Sequence, residues 1–89
     1  MTREIPGVQK PVVTYAQSQG WLAWKMKIEG RNGAPDYWFF KDGEIVIVEF
    51  KAPGKPRKPQ QVNRARDLEE KGFKVHVIDN ADAGRALFD

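Results

Sequence analysis

The chain contains no cysteine, which excludes disulfide bonds and zinc sites built from thiolates. It has a single histidine, His76, which argues against a histidine-rich metal site. No stretch approaches the roughly 20 apolar residues that a membrane-spanning helix needs, and the N-terminus lacks the pattern of a signal peptide. These absences predict a soluble, cytoplasmic protein.

The length of 89 residues is enough for one domain with a modest core, and we expect residues 1–89 to form that domain. A domain of this size buries only about 60–65% of the surface that its unfolded chain exposes. Hydrophobic residues make up 40% of the chain, with three Trp, two Tyr and five Phe. This composition is typical of a globular protein and excludes a disordered one.

Hydrophobic periodicity and turn residues predict the element order α-β-β-β-α-β, with a short terminal helix. Pro6-Gly7 should break any earlier helix, so the first helix is expected to begin after it, with Pro11 in its first turn. The helix is expected to end at Gly20. The predicted elements are a helix at 8–19, strands at 21–28, 36–41 and 44–51, a helix at 59–71, a strand at 73–79 and a helix at 81–88. The pattern therefore predicts an α/β fold with a mixed sheet flanked by helices.

A basic segment, KAPGKPRK at residues 51–58, carries four positive side chains and no acid, in a chain of net charge +3. Such a cluster is typical of a surface that binds a polyanion. The alternative is a solvated, proline-rich loop that lysines keep soluble. Taken alone, this segment slightly favours the solvated loop.

The dipeptide Asp42-Gly43 separates two strand-forming runs, which predicts a β-hairpin with a two-residue loop. In that register Lys41 pairs with Glu44, and counting along the strands brings Asp36 opposite Glu49. Opposed residues have Cβ atoms about 4.5–5.5 Å apart, where like charges are destabilising. A three-residue loop would shift this pairing by one residue.

A metal site would explain the opposed carboxylates. Asp36 and Glu49 share one face of the hairpin with Lys51, at the start of the basic segment. Two convergent carboxylates suit Mg²⁺ or Mn²⁺, and a lysine beside them can offset charge that develops on a phosphate. The alternative is a surface ion pair between Glu49 and Lys51, worth about 0–1 kcal/mol.

Three motifs together resemble those of a nuclease family. They are GAPD at residues 33–36, VEFKAPGK at 48–55, and Gln61 eleven residues before Gly72-Phe73. A Pro-Asp dipeptide, a hairpin and then Glu-x-Lys are similar to the PD-(D/E)xK nuclease superfamily, whose core has the α-β-β-β-α-β order. The three motifs resemble more closely the VRR-NUC (virus-type replication-repair nuclease) domain family, over about residues 20–79.

The resemblance implies roles for the matching positions. Asp36 and Glu49 would bind Mg²⁺ or Mn²⁺, together with the backbone carbonyl of Phe50. Lys51 would be the catalytic lysine. Gln61 would orient the site or its lysine, although the neighbouring Gln60 could be confused with it.

The family usually has a further glutamate on the first helix that reaches the metal. Glu4 is the only acid near that region, and it is carried over as a metal ligand and catalytic residue. Gln9 lies on the predicted helix but is a poorer ligand, so the residue that completes the site stays open between the two.

The expected activity is a Mg²⁺- or Mn²⁺-dependent endonuclease acting on DNA, structure-selective like a Holliday-junction resolvase. The residues expected to contact the DNA backbone are Lys55, Arg57, Lys58, Arg31 and Asn32. One alternative is a non-catalytic nucleic-acid-binding module of the same fold, and another is a structural or partner-binding domain.

A homodimer is expected, because cutting two strands symmetrically needs two centres related by a two-fold axis. The candidate interface residues are Val12, Val13 and Tyr15 on the first helix and the aromatics Trp21 and Trp24, although tryptophans in strands are more often core residues.

Overall fold

The computed structural model describes residues 4–27 and 33–89. The elements are α1 (Glu4–Ser18), β1 (Leu22–Lys25), β2 (Tyr37–Lys41), β3 (Glu44–Phe50), α2 (Pro59–Glu70), β4 (Val75–Ile78) and α3 (Ala81–Ala86). This order confirms the predicted fold class. In these two ranges, no helix has both the length and the apolar character needed to cross a membrane.

The four strands form one mixed sheet in the order β1-β2-β3-β4. The first two pairings are antiparallel, and β3 pairs with β4 in parallel. The hairpin register is the predicted one, from Lys41 opposite Glu44 to Tyr37 opposite Val48. Asp42 and Gly43 have φ values of 52° and 80°, the left-handed pair that a type I′ turn requires.

One face of the sheet is closed by α1 and α3. Val12 and Phe39 are fully buried there, and the ring of Phe39 lies 4.6 Å from that of Phe88. The two helices approach closely at Gly84, where a Cβ atom would lie 2.4 Å from the Val12 side chain. Val12 is therefore a core residue, and the prediction that it forms a dimer interface is wrong.

The other face is only partly covered, by α2. Ala65 packs against Ile47 and Val75, but α2 lies over the β4 side of the sheet, at the opposite edge from β1. Leu22 and Trp24 on β1 consequently remain 52% and 55% exposed. The expectation that Trp24 belongs to the core is wrong, because no helix reaches its face of the edge strand in the described structure.

The first helix begins earlier than predicted. It starts at Glu4 and continues through Pro6 and Gly7, so the expected break is wrong. The first four N–H groups of a helix have no partner within it, and a proline in the first turn therefore loses no hydrogen bond. With this start, Pro11 lies in the interior of α1 rather than in its first turn.

Candidate active site

The hairpin brings Asp36 to the end of β3. Asp36 immediately precedes β2, and its carboxylate Oδ2 accepts a hydrogen bond of 2.7 Å from the backbone N–H of Phe50. Its carbonyl accepts a second bond, of 2.8 Å, from the N–H of Met26. The Asp36 side chain is therefore held next to Glu49, the residue before Phe50.

The surroundings of Asp36 make its charged form costly. Burial raises the pKa of the Asp36 carboxyl; the hydrogen bond from Phe50 lowers it, and the charge of Glu49 raises it again. Lys25 and Lys51 act in the opposite direction to Glu49. Burial and a second carboxylate are the conditions under which a bound cation becomes favourable.

Glu49 is completely buried and is paired with Arg57. The guanidinium donates from Nη2 to Oε1 at 3.0 Å and from Nε to Oε2 at 3.1 Å. These bonds to Glu49 raise the pKa of Arg57 above its usual value. A buried carboxylate needs a positive partner, and here both of its oxygens are occupied by one.

Lys51 points into the same region and is held by two acceptors. Its Nζ donates to the carbonyl of Pro56 at 2.6 Å and to Oε1 of Gln61 at 3.4 Å. The same Gln61 oxygen accepts a bond of 2.8 Å from the N–H of Lys58, the residue that caps α2. Gln61 thus links the lysine to the start of α2, while Gln60 is exposed.

The loop before Asp36 touches the start of α2 at Gly33. A Cβ atom on Gly33 would lie 2.4 Å from the backbone carbon of Gln60, and its φ of +86° also favours glycine. Only glycine allows this contact without displacing backbone. The contact brings the GAPD segment and α2 to the two sides of one site.

Asp36, Lys51, Arg57 and Gln61 face a common cavity of about 520 Å³. It is lined by Asp36, Phe50, Lys51, Ala52, Lys55, Pro56, Arg57, Lys58, Pro59 and Gln61. Lys55 and Lys58 are exposed at this cavity. The cavity combines the carboxylate of Asp36, a fixed ammonium group and exposed positive charge, a set of groups that suits a phosphate diester and a cation.

Two side chains supply the kind of oxygen donors that a hard divalent cation prefers. Asp36 and Glu49 offer carboxylate oxygens, and the carbonyl of Phe50 belongs to a residue that lines the cavity. In the part of the chain that the structure describes, no group of three or more His, Cys, Asp or Glu residues could hold a metal.

Of the four other predicted residues, three have side chains outside the described structure and one lies away from the cavity. Glu4 begins α1, but its side chain lies outside the described structure, as do Arg31 and Asn32 altogether. Gln9 is half-buried on α1, which packs on the opposite face of the sheet, and it does not line the cavity.

Sequence reasoning missed the role of Arg57 as the partner of Glu49 and expected only a DNA contact. It also missed the Pro56 carbonyl that holds Lys51. Both contacts depend on the path of the loop between β3 and α2, for which the sequence offers no periodic signal. The Asn32-Gly33 dipeptide does indicate a turn, but it does not indicate the close contact of Gly33 with α2.

Comparison with known proteins identifies the family. No family model matches the chain. A protein named "Putative nuclease p44", from Acyrthosiphon pisum secondary endosymbiont phage 1, is 33% identical over 81 residues, which cover 90% of this chain and 87% of that protein. A solved structure named "VRR_NUC domain" matches with a TM-score of 0.87 at 27% identity, covering 97% of this chain and 95% of that one. The chain therefore belongs to the VRR_NUC domain family of nucleases, the family that its motifs resemble.

Proposed function

We propose that residues 1–89 form a Mg²⁺- or Mn²⁺-dependent endonuclease that hydrolyses DNA phosphodiester bonds. The observation that carries this proposal is that Asp36 and Lys51 line the cavity between the hairpin and α2, where Arg57 also lies and holds the buried Glu49. The relative named as a nuclease supports it, because that protein matches almost the whole chain.

Asp36, Glu49 and the carbonyl of Phe50 would hold the metal. A bound divalent ion lowers the pKa of water and neutralises negative charge on phosphate oxygens. Hydrolysis forms a bond between phosphorus and a water oxygen while the ester P–O bond breaks, so that negative charge is spread over the phosphate oxygens. Lys51 donates hydrogen bonds to those oxygens and offsets their charge, and Gln61 and Pro56 fix its position.

The DNA backbone would lie along the basic side of the cavity. Lys55 and Lys58 are exposed there and have the long, mobile side chains that suit phosphate contacts. Arg57 would also contact phosphate once released from Glu49. Arg31 and Asn32 are the other two proposed phosphate contacts.

We also propose that the protein is a homodimer that prefers four-way or similarly branched DNA over linear duplex. One metal centre cuts one strand, and a two-fold axis supplies the second centre. The part of the α2-side face that α2 leaves open offers an interface, because Leu22, Trp24 and Ile45 are exposed there. Sedimentation equilibrium at micromolar concentration measures the mass, and a monomer would contradict the dimer.

The activity is tested by incubating labelled linear, nicked, flapped and four-way DNA with Mg²⁺ or Mn²⁺. The expected result is metal-dependent cleavage, with paired symmetric nicks across the four-way junction. Equal cutting of linear duplex would contradict the junction preference alone. Salt-sensitive binding without cleavage of any substrate would contradict the nuclease proposal and favour a nucleic-acid-binding module.

A further inference from the structure

Arg57 and a divalent cation would compete for the same carboxylate. Both oxygens of Glu49 already accept hydrogen bonds from the guanidinium, at 3.0 and 3.1 Å. The Glu49 side chain is only 1% exposed, so little water surrounds this ion pair. Two cations on one buried carboxylate would repel each other strongly, because charges interact more strongly away from water.

The charges in the cavity support an exchange rather than an addition. The cavity is lined by one carboxylate, that of Asp36, and by four positive side chains, and a second carboxylate, that of Glu49, is bonded to one of these, Arg57. Lys51 is bonded to Pro56 and Gln61, so the positive group in contact with a carboxylate is Arg57. A divalent cation that reaches Glu49 therefore takes the place of Arg57 as its positive partner, while the positive charge of Lys51 stays in the cavity.

The backbone around Arg57 is fixed on both sides while its side chain can move. The carbonyl of Pro56 accepts a bond from Lys51 Nζ, and the N–H of Lys58 donates to Gln61 Oε1 at 2.8 Å. The Arg57 side chain is 30% exposed, in contrast to its buried partner. Rotation of the side chain alone would release the guanidinium into the cavity that Lys55 and Lys58 also line.

We propose that Arg57 is an exchangeable counter-ion, which neutralises Glu49 until a divalent cation displaces it and which then contacts a DNA phosphate. This inference rests on the metal site of the proposed function. Arg57 then has two successive partners, first Glu49 and then a DNA phosphate. Metal binding would thereby increase the positive charge that faces DNA. Arg57 thus holds Glu49 in the absence of metal and contacts the substrate once metal is bound.

The direct test follows the Nε–H resonance of Arg57 by ¹⁵N nuclear magnetic resonance while Mg²⁺ is added to the wild-type protein. We expect it to shift and to exchange faster with water as Mg²⁺ binds, because the guanidinium no longer donates to Glu49. Arg64, which pairs with Asp67 within α2 at 3.2 Å, is the internal control and should not change. An unchanged Arg57 resonance in protein saturated with Mg²⁺ would overturn the inference and leave the metal site standing.

Calorimetric titration with Mn²⁺ gives a second measurement. Arg57→Gln keeps an amide donor for Glu49 but removes the competing charge, so it should bind Mn²⁺ at least about tenfold more tightly, or about 1.4 kcal/mol. Lys51→Gln removes a charge from the same cavity, but Lys51 is not bonded to Glu49, so this variant should gain less Mn²⁺ affinity. Arg64→Gln should bind Mn²⁺ as tightly as the wild type. Equal gains in the Arg57 and Lys51 variants, or no gain, would overturn the exchange. Absence of Mn²⁺ binding by the wild type would overturn the metal site and the inference together.

Discussion

The two faces of the sheet differ in how completely helices cover them. The face under α1 and α3 is closed and apolar, with Phe39 and Val48 fully buried. The face under α2 is covered over β3 and β4 only, and it carries buried Glu49 at one end and exposed Trp24 at the other. The first face stabilises the fold, and the second leaves room at its edge for charged groups and for partners.

This difference explains where the charged groups lie. A buried carboxylate such as Glu49 is costly unless cations and hydrogen bonds surround it, and a fully apolar layer supplies neither. The loop between β3 and α2 supplies both through Arg57, whose guanidinium donates two hydrogen bonds to Glu49. The candidate site therefore lies at the boundary of the second face, where chain that is not in a helix or strand meets the end of β3.

Truncation on the closed face should have the largest effect on stability. Phe39→Ala removes a fully buried ring that contacts Phe88 and Tyr37, and it should cost about 3–5 kcal/mol of unfolding free energy. Ile45→Ala on the open face, where the side chain is 43% exposed, should cost less than about 1.5 kcal/mol. Urea unfolding measures both. Equal losses would show that the two faces do not differ as described.

Substitution of Gly33 should have the next largest effect on stability, because Gly33 packs against the start of α2 at the edge of the open face. Gly33→Ala adds a Cβ at 2.4 Å from backbone atoms of Gln60, on top of the cost of a positive φ. Gly54→Ala is the matched control: its φ is +76°, but nothing lies within 4 Å of the added atom. The control should lose about 1 kcal/mol and Gly33→Ala at least twice as much. Similar losses would contradict the close approach of Gly33 to Gln60.

Much of this arrangement was predictable from the sequence, for a physical reason. The turn Asp42-Gly43 fixes a two-residue loop, and the loop fixes every pair from Lys41–Glu44 onward. That register alone brings Asp36 to Glu49. It requires no knowledge of the rest of the chain, because the pairing is local.

The predictions failed where distant elements decide the outcome. The position of Trp24 in a strand predicts that it is buried, but its burial depends on where α2 packs, and α2 begins more than thirty residues later in the chain. The start of α1 was missed because the early positions of a helix tolerate proline. The pairing of Arg57 with Glu49 depends on an irregular loop, for which no periodicity exists to be read.

Asp36→Asn should produce a small stabilisation in EDTA at neutral pH. The folded-state pKa of Asp36 is raised, mainly by burial, so ionisation above that pKa destabilises the fold. This penalty is absent below the unfolded pKa of about 3.9, grows as pH rises through the folded pKa, and is complete above it. Asn cannot ionise, so the variant should exceed wild type at pH 7 and match it in acid. Thermal unfolding across this range checks the sign, and a less stable variant at pH 7 would contradict it.

The smallest expected effect concerns binding of DNA at the open face. Replacing Lys55 and Lys58 by Ala should weaken binding to all DNA sequences about equally. It should also reduce the slope of log K against log salt by about 0.9 for each phosphate of duplex DNA that the protein no longer neutralises. The control is Lys10→Ala on α1, on the closed side of the sheet. An unchanged slope in the Lys55 and Lys58 variant would identify the basic segment as a solvated loop.

The most direct test of the account is cleavage of a labelled four-way junction in Mn²⁺ by wild type, Asp36→Asn, Glu49→Gln and Lys51→Ala, with folding checked by circular dichroism. Arg66→Ala, an exposed change on α2 away from the cavity, serves as the control. The account predicts that the wild type and the control cut the DNA, and that each of the three site variants folds but does not cut it. Retained cleavage by folded Glu49→Gln or Lys51→Ala would contradict the assignment of this cavity as the active site.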